Sequence, residues 1–320
     1  MKNSPTSFVI VAEHADRRID NYLVPLLKIP RTLLYRFIRQ GRVRVNKKRT
    51  DPSYRLQTGD QIVIYAFRAE ENTAPKVATP SSRIVEKLSN RILYEDENLL
   101  ILNKPTGLAV HSGTDVSMGV IEILRQMRQG ENDFLELAHR LDRDTSGCLV
   151  IAKKPRVLRE FQELLRTGKV EKIYQALTMG HWSKKDNRIS ASLERQEKAC
   201  HGRKIKVSDD GKASVTDFHV VQTFPLASLV AATLHTGRMH QIRVHAQSVG
   251  HPIAGDTKYG DKAFNQMMHQ LGLRRLFLQA VKIRFQLPST KKMICVEAPL
   301  EAELKDFLSR LSCPKKMTNF

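Results

Sequence analysis

Residues 69–88, AEENTAPKVATPSSRIVEKL, are polar and carry two prolines, which speaks against one continuous core running the length of the chain. Such a segment is semi-stiff and offers few side chains to an interior, so it reads as a linker. It separates a small amino-terminal unit, residues 1–68, from a larger one, residues 89–320. A chain of 320 residues has room for two domains of unequal size, and 41% hydrophobic residues suffice for a core in each. The balance of 53 Lys+Arg against 33 Asp+Glu leaves a net charge of +20. Charge of that size repels itself and implies a polyanionic partner, a nucleic acid or an anionic membrane. No apolar run approaches the roughly 20 residues that span a bilayer, and the Met1-Lys2-Asn3-Ser4-Pro5 start has no signal-peptide core. The expectation is a cytoplasmic protein with no membrane partner.

The small unit concentrates the positive charge. Segment 31–49, RTLLYRFIRQGRVRVNKKR, holds eight basic residues and no acidic one. Leu33, Leu34, Phe37 and Ile38 recur at helical spacing, with Gly41 as the stop. Asp16 and Asp20 ahead of Tyr22-Leu23 predict an earlier helix with Leu23, Leu26 and Leu27 on its inner face. Val43 and Val45 alternate as a short strand, and Gln61–Ile64 predict a second after the Thr58-Gly59-Asp60 turn. A basic run is ordinarily a solvated face. Here no acids compensate it, and Arg36, Arg39 and Arg42 are spaced to line one side of the helix and its exit as phosphate contacts would. Arg44, Lys47 and Lys48 extend that basic surface. The unit resembles the S4 RNA-binding domain, in which two helices lead into G-x-V-x-V-N, here Gly41–Asn46.

In the larger unit the apolar runs Leu99–Leu102 and Cys148–Ala152 predict buried strands, and residues 157–168 a helix. Four cysteines (Cys148, Cys200, Cys295, Cys313) are scattered with no C-x-x-C pair, so they read as reduced, mostly buried thiols. His240 and His245 stand five apart and do not share a helix face as a zinc pair would. No metal site is expected. No G-x-G-x-x-G or P-loop occurs, which argues against a nucleotide cofactor.

The densest chemical cluster is His139-Arg140-Leu141-Asp142-Arg143-Asp144-Thr145-Ser146-Gly147, set directly before Cys148–Ala152. Alone it could be an ornate turn, with Asp142 or Asp144 capping backbone amides. Its company changes that. Lys172 and Tyr174 open another strand-like run, and Thr236–His245 leaves a strand ending near Leu234 and starts a short helix. Asn103-Lys104-Pro105-Thr106-Gly107 ends the Leu99–Leu102 strand. One carboxylate among arginines, with a phenol and no metal set, fits covalent or acid/base work by aspartate on an anionic substrate. A buried aspartate stays ionised beside a cation, for which Arg243 is the candidate.

H-R-L-D-x-x-T-S-G, K-x-Y and T-G-R-x-H-Q-I-R-x-H together resemble the signatures of the RluA family of pseudouridine synthases, and N-K-P-x-G resembles its first motif. Gly250-His251-Pro252-Ile253-x-Gly255-Asp256 and Leu276-Phe277-Leu278-x-Ala280 match as well, over residues 90–300 in all. Gln279 departs from the family's usual histidine, which puts local packing or an RNA contact in question. The resemblance implies an α+β fold: a small S4 domain, then a catalytic domain with a mixed, largely antiparallel sheet and a central RNA cleft. It implies isomerisation of uridine in large-subunit ribosomal RNA or its assembly precursors, without a cofactor, by a monomer. Asp142 would be the essential aspartate, Arg243 its ion-pair partner, and Tyr174 would lie against the target uracil. Arg140 would take the place vacated by the flipped nucleotide. The rival reading is a non-catalytic RNA-binding or ribosome-assembly factor on the same scaffold.

Overall fold

The computed structural model describes residues 5–27, 29, 31–65, 80–112, 118–128, 134–183, 187–196 and 204–312. The chain separates into two compact units, Met1–Val77 and Ala78–Phe320.

The first unit holds strand β1 (Thr6–Val9), helices α1 (Ile19–Leu27) and α2 (Arg31–Arg39), and strands β2 (Val43–Val45), β3 (Lys48–Arg49) and β4 (Gln61–Ile64). The strands form an antiparallel sheet in the order β1-β4-β2-β3. Leu23, Leu34, Phe37, Ile38, Val43, Val45, Ile62 and Ile64 share one core, as the spacing predicts. Leu26 does not join them and is exposed. Asp20 stands in the first turn of α1, as expected, but is fully buried there, accepting hydrogen bonds from Arg18 Nη2 (2.8 Å), Tyr35 Oη (2.7 Å) and its neighbour's backbone N–H. Asn46 and Lys47 both adopt left-handed φ (50° and 66°), the geometry of a two-residue hairpin turn between β2 and β3. That turn lifts Lys47 and Lys48 into solvent.

The second unit opens with helix α3 (Ser82–Ser89), so the linker does not extend to residue 88 as its polar composition suggested. Leu88 is buried, and Ile84 and Val85 pack on the second unit's core; three apolar residues at helical spacing outweigh their polar neighbours. Residues 69–79 of the expected linker, and 66–68 before it, lie outside the described residues. Then follow β5 (Ile92–Glu95), β6 (Leu99–Lys104), α4 (Val120–Met127), β7 (Glu136–Leu137), β8 (Ser146–Ala152), α5 (Pro155–Arg166), β9 (Glu171–Met179), β10 (Arg188–Gln196), β11 (Lys204–Val207), β12 (Lys212–Phe224) and β13 (Ala227–Leu234). The unit closes with α6 (Gln241–Ser248), α7 (Lys262–Gln270), β14 (Leu278–Gln286), β15 (Met293–Glu297) and α8 (Ala302–Leu311).

Eleven strands make one sheet in the order β11-β10-β12-β13-β9-β14-β8-β6-β5, with β15 beside β14 and β7 beside β8. All its ladders are antiparallel except β14 with β8, so the sheet is mixed and largely antiparallel. The uninterrupted apolar runs are explained by cover on both faces. Leu100, Leu102, Leu149 and Ile151 enter one core cluster, while Leu99, Ile101, Cys148 and Val150 enter another. The single parallel pair needs Gly147, whose φ is 107° and whose position would place a Cβ 2.1 Å from the Ala280 carbonyl oxygen. Gln279, beside it, is fully buried; its Nε2 donates to the Pro299 carbonyl (2.7 Å) and its Oε1 accepts from the Glu301 N–H (3.0 Å). The departure from the family pattern therefore resolves as local packing. Cys148 is buried and Cys295 exposed; Cys200 and Cys313 lie outside the described residues.

Candidate active site

The Asp142 loop is met by the turn that ends β6 and by helix α6. The Asp142 loop enters β8, and its shape is held by the turn that ends β6. Gly107 N–H (2.9 Å) and the Lys104 ammonium (3.0 Å) both donate to the Arg143 carbonyl, and Thr106 Oγ1 donates to the Asp144 carbonyl (2.8 Å). Lys104 is fully buried, and its Nζ also reaches the carbonyls of Pro105 (2.9 Å) and Leu108 (2.8 Å). Three acceptors match the three N–H bonds of an ammonium, although burial pulls this lysine down to about 7. The N-K-P-T-G turn is thus a clamp on the loop rather than a participant in chemistry. On the other side His139 Nε2 accepts the Val150 N–H at 3.0 Å, which a neutral ring alone can do, and burial holds its pKa at about 4.

Helix α6 supplies the cation. Arg243 is buried, and its Nε and Nη2 grip the fully buried Asp256 at 2.7 and 2.8 Å. Its remaining Nη1 lies 3.6 Å from Asp142 Oδ2. The expected Arg243–Asp142 pair is therefore present but secondary, because Asp256 fixes the guanidinium in a bidentate fork. Burial alone would raise the Asp256 pKa, but the Arg243 guanidinium and the N–H groups of Tyr259 and Lys258 hold it below the ordinary carboxylate range. Arg243 also lies over the Tyr259 ring, 5.1 Å from its centroid. At the start of α6, His240 takes a left-handed conformation (φ 55°) and points Nε2 at Asp142 Oδ2, 3.8 Å away. Gln241 locks the preceding turn through Thr236 Oγ1, the Arg238 N–H and the Val215 carbonyl. His245, in contrast, is fully buried against Ser214 and Thr216 and serves packing.

These groups border a cavity of about 370 Å³, lined among others by Val110, Arg140, Asp142, His240, Arg243 and Lys258. That lies at the small end of ligand pockets, the scale of a single nucleotide. Arg140 is exposed at its edge; it is Arg143 that pairs with Asp144 (3.3 Å), so no acid neutralises Arg140 among the described residues. Tyr174, on β9, packs in the same apolar cluster as Leu141. Burial, and after it the charge of Asp142, pushes its hydroxyl well above the usual tyrosine range, so it stays protonated. In the first unit Arg36, Arg39, Arg42, Lys47 and Lys48 are exposed and Arg44 is half-buried, and none is paired with a carboxylate among the described residues. Arg42 lies over the Phe37 ring and Arg44 over that of Tyr65. No group of three histidine, cysteine or acidic side chains among the described residues is placed to hold a metal.

Sequence reasoning placed Asp142, Arg243, Tyr174 and Arg140 in one neighbourhood but overlooked Asp256, His240 and Tyr259. The signal for Asp256 was the Gly255-Asp256 pair. Gly255 has φ 74° and leaves no room for a Cβ beside the Arg275 carbonyl, marking a turn built to aim the next side chain.

The model of the RNA pseudouridylate synthase family matches residues 98–248, and that of the S4 domain residues 17–62. Ribosomal large subunit pseudouridine synthase C of Haemophilus influenzae is 48% identical over 97% of this chain and 96% of its own length. The protein of the same name from Escherichia coli is 45% identical over 94% of this chain and 95% of its own. Among solved structures, human RNA Pseudouridylate Synthase Domain Containing 4 superposes with a TM-score of 0.59 at 26% identity, covering 72% of this chain and 96% of that one.

Proposed function

Since the chain belongs to the RNA pseudouridylate synthase family, we propose that it isomerises uridine to pseudouridine in large-subunit ribosomal RNA, with Asp142 as the catalytic carboxylate. The observation that carries this reading is a carboxylate at the wall of a nucleotide-sized cavity, faced by a cation that a second, buried carboxylate holds in place.

The reaction breaks the N1–C1′ bond, turns the base and joins C5 to C1′. It transfers no electrons to or from the substrate and consumes no group donor. Attack by the carboxylate on C1′ or on C6, or removal of the C2′ proton, each needs an ionised oxygen beside the nucleotide. The positive charge of Arg243 faces that carboxylate at 3.6 Å. A stacked base cannot present its face to a carboxylate, so the nucleotide flips into the cavity against an unstacking cost of a few kcal/mol. Arg140, exposed at the edge with no acid partner among the described residues, fills the gap and stacks on neighbouring bases. Tyr174, protonated and apolar-packed, supplies a flat surface for the uracil.

Arg36, Arg39, Arg42, Arg44, Lys47 and Lys48 give the S4 unit contacts to phosphates, which add affinity without chemistry. No helix among the described residues is long and apolar enough to cross a membrane. With a ribosomal substrate the protein works in the cytoplasm, and we propose that it does so as a monomer. Carbodiimide mapping of pseudouridines in ribosomal RNA, from cells with and without the gene, tests the reading. At least one large-subunit site disappears with the gene; an unchanged map refutes the substrate.

A further inference from the structure

Asp142 has two carboxylate oxygens, and the protein treats them differently. Arg243 Nη1 and His240 Nε2 both face Oδ2, at 3.6 and 3.8 Å. Neither oxygen accepts a hydrogen bond among the described residues, and Oδ2 is the one that both nitrogens approach. What His240 can offer Oδ2 depends on which ring nitrogen carries the proton, and a hydrogen-bond chain decides that. The Ile205 backbone N–H, which can only donate, points at Tyr259 Oη (2.9 Å). Tyr259 Oη lies 2.8 Å from His240 Nδ1. With Ile205 donating to the oxygen, the phenol's own proton goes to Nδ1, the one acceptor in its reach among the described residues. Nδ1 is then an acceptor, and the proton of a neutral imidazole must sit on Nε2, facing Asp142.

We infer that His240 is a positioning residue for the reaction: Tyr259 fixes it as the Nε2–H tautomer, and with Arg243 it holds Oδ2 of Asp142, leaving Oδ1 as the oxygen that meets the nucleotide. The inference rests on the reading of Asp142 as the reacting carboxylate. Several features support it. Burial pulls His240 down to about 4, with Arg243 and Lys258 acting in the same direction against Asp142 and Asp256, so the ring is a neutral donor rather than a competing cation. Burial raises the Tyr259 pKa, which keeps its proton available for donation. The left-handed backbone of His240 is a strained conformation held at the site, with Tyr259 packed edge-on at 5.4 Å between ring centroids. A 3.8 Å approach is longer than a hydrogen bond, and in enzymes contacts of this kind often tighten in the complex with substrate. The arrangement resembles the orienting partner of a catalytic imidazole with the roles exchanged: here the imidazole orients the carboxylate.

The test uses the full-length enzyme and a large-subunit RNA fragment containing a mapped target. Single-turnover rate with enzyme in excess and Kd for the same RNA are measured for His240→Ala, His240→Gln and Tyr259→Phe. A glutamine amide nitrogen reaches roughly where Nε2 sits, and alanine and glutamine carry the same left-handed backbone cost, so their difference isolates the donor. His240→Ala should slow the step by about 100-fold, as loss of alignment does, with Kd within about twofold. His240→Gln should recover most of that loss, and Tyr259→Phe should fall between. Equal rates for the alanine and glutamine variants, fast or slow, overturn the proposal. Nitrogen-15 shifts of His240 in the unmodified protein give an answer that does not depend on any variant folding: a protonated Nε2 is expected, and a protonated Nδ1 overturns the proposal. An active Asp142→Asn enzyme would bring down the underlying assignment, and the proposal with it. A dead Asp142→Asn with indifferent histidine variants would bring down the proposal alone.

Discussion

Replacing Asp256 by asparagine removes one charge and almost no volume. The ion pair it breaks has side-chain exposures of 8% on Arg243 and 0% on Asp256, so water can barely replace the lost partner. Breaking a buried pair on one side costs about 3–5 kcal/mol, because the orphaned charge keeps its desolvation penalty. Asparagine keeps one acceptor for the fork, which places this case near the lower end, about 3 kcal/mol. The loop backbone contributes to the loss, since the Lys258 and Tyr259 N–H groups share the same carboxylate oxygen. The chain's single tryptophan, Trp182, stacks on Phe218 and His251 inside the second unit, so its fluorescence follows this unit and not the first. With a urea slope of about 2–3 kcal/mol/M the midpoint should fall by about 1–1.5 M. The double variant Arg243→Met, Asp256→Leu should regain much of that stability, having no stranded charge, while remaining inactive. A shift below about 1 kcal/mol for Asp256→Asn, or a double variant no more stable than the single one, would refute the claim that Asp256 anchors Arg243.

Replacing Arg36, Arg39 and Arg42 by glutamine should flatten the slope of log K against log salt by about 2 to 3 and leave the single-turnover rate at saturating enzyme unchanged; an unaltered slope would show that these residues do not touch phosphate. Arg140→Ala should depress kcat/KM far more on a structured RNA than on one whose target uridine is already unstacked, and equal losses would reduce Arg140 to a phosphate contact. Stability should fall in mild acid. His139 and His240 have folded pKa values of about 4 against an unfolded value near 6.5, so below 6.5 the unfolded chain takes up protons that the folded chain refuses. The contribution of these two histidines is complete above pH 6.5 and lost towards pH 4, by about 3 kcal/mol for His139 alone. Urea midpoints that stay level from pH 7.5 to pH 5 would contradict this.

Much of this architecture is written in local pattern. The apolar runs at 99–102 and 148–152 became central strands because alternate residues of each have a core to enter on either face. The i, i+3, i+4 spacing of Leu34, Phe37 and Ile38 gave a helix whose opposite side carries Arg36 and Arg39. Local pattern was weaker where polar and apolar residues are mixed: Ile84, Val85 and Leu88 sit among charges, and composition hid a packed helix. It was silent where a partner is chosen in space. Arg243 has two aspartates within reach, and nothing in sequence separation says that Asp256 takes the fork while Asp142 faces the remaining nitrogen at 3.6 Å. The chain from Ile205 through Tyr259 and His240 to Asp142 joins residues that only the folded sheet brings together.

The central claim is that the Asp142 carboxylate performs the isomerisation, and the most direct measurement is pseudouridine formation by purified Asp142→Asn under single-turnover conditions on a large-subunit RNA fragment. Asparagine preserves the shape of the site but provides neither a nucleophilic oxygen nor a base. No pseudouridine should form even with enzyme in excess, while Kd for the RNA and the unfolding midpoint stay near those of the unmodified protein. Appreciable isomerisation by this variant would contradict the assignment of Asp142.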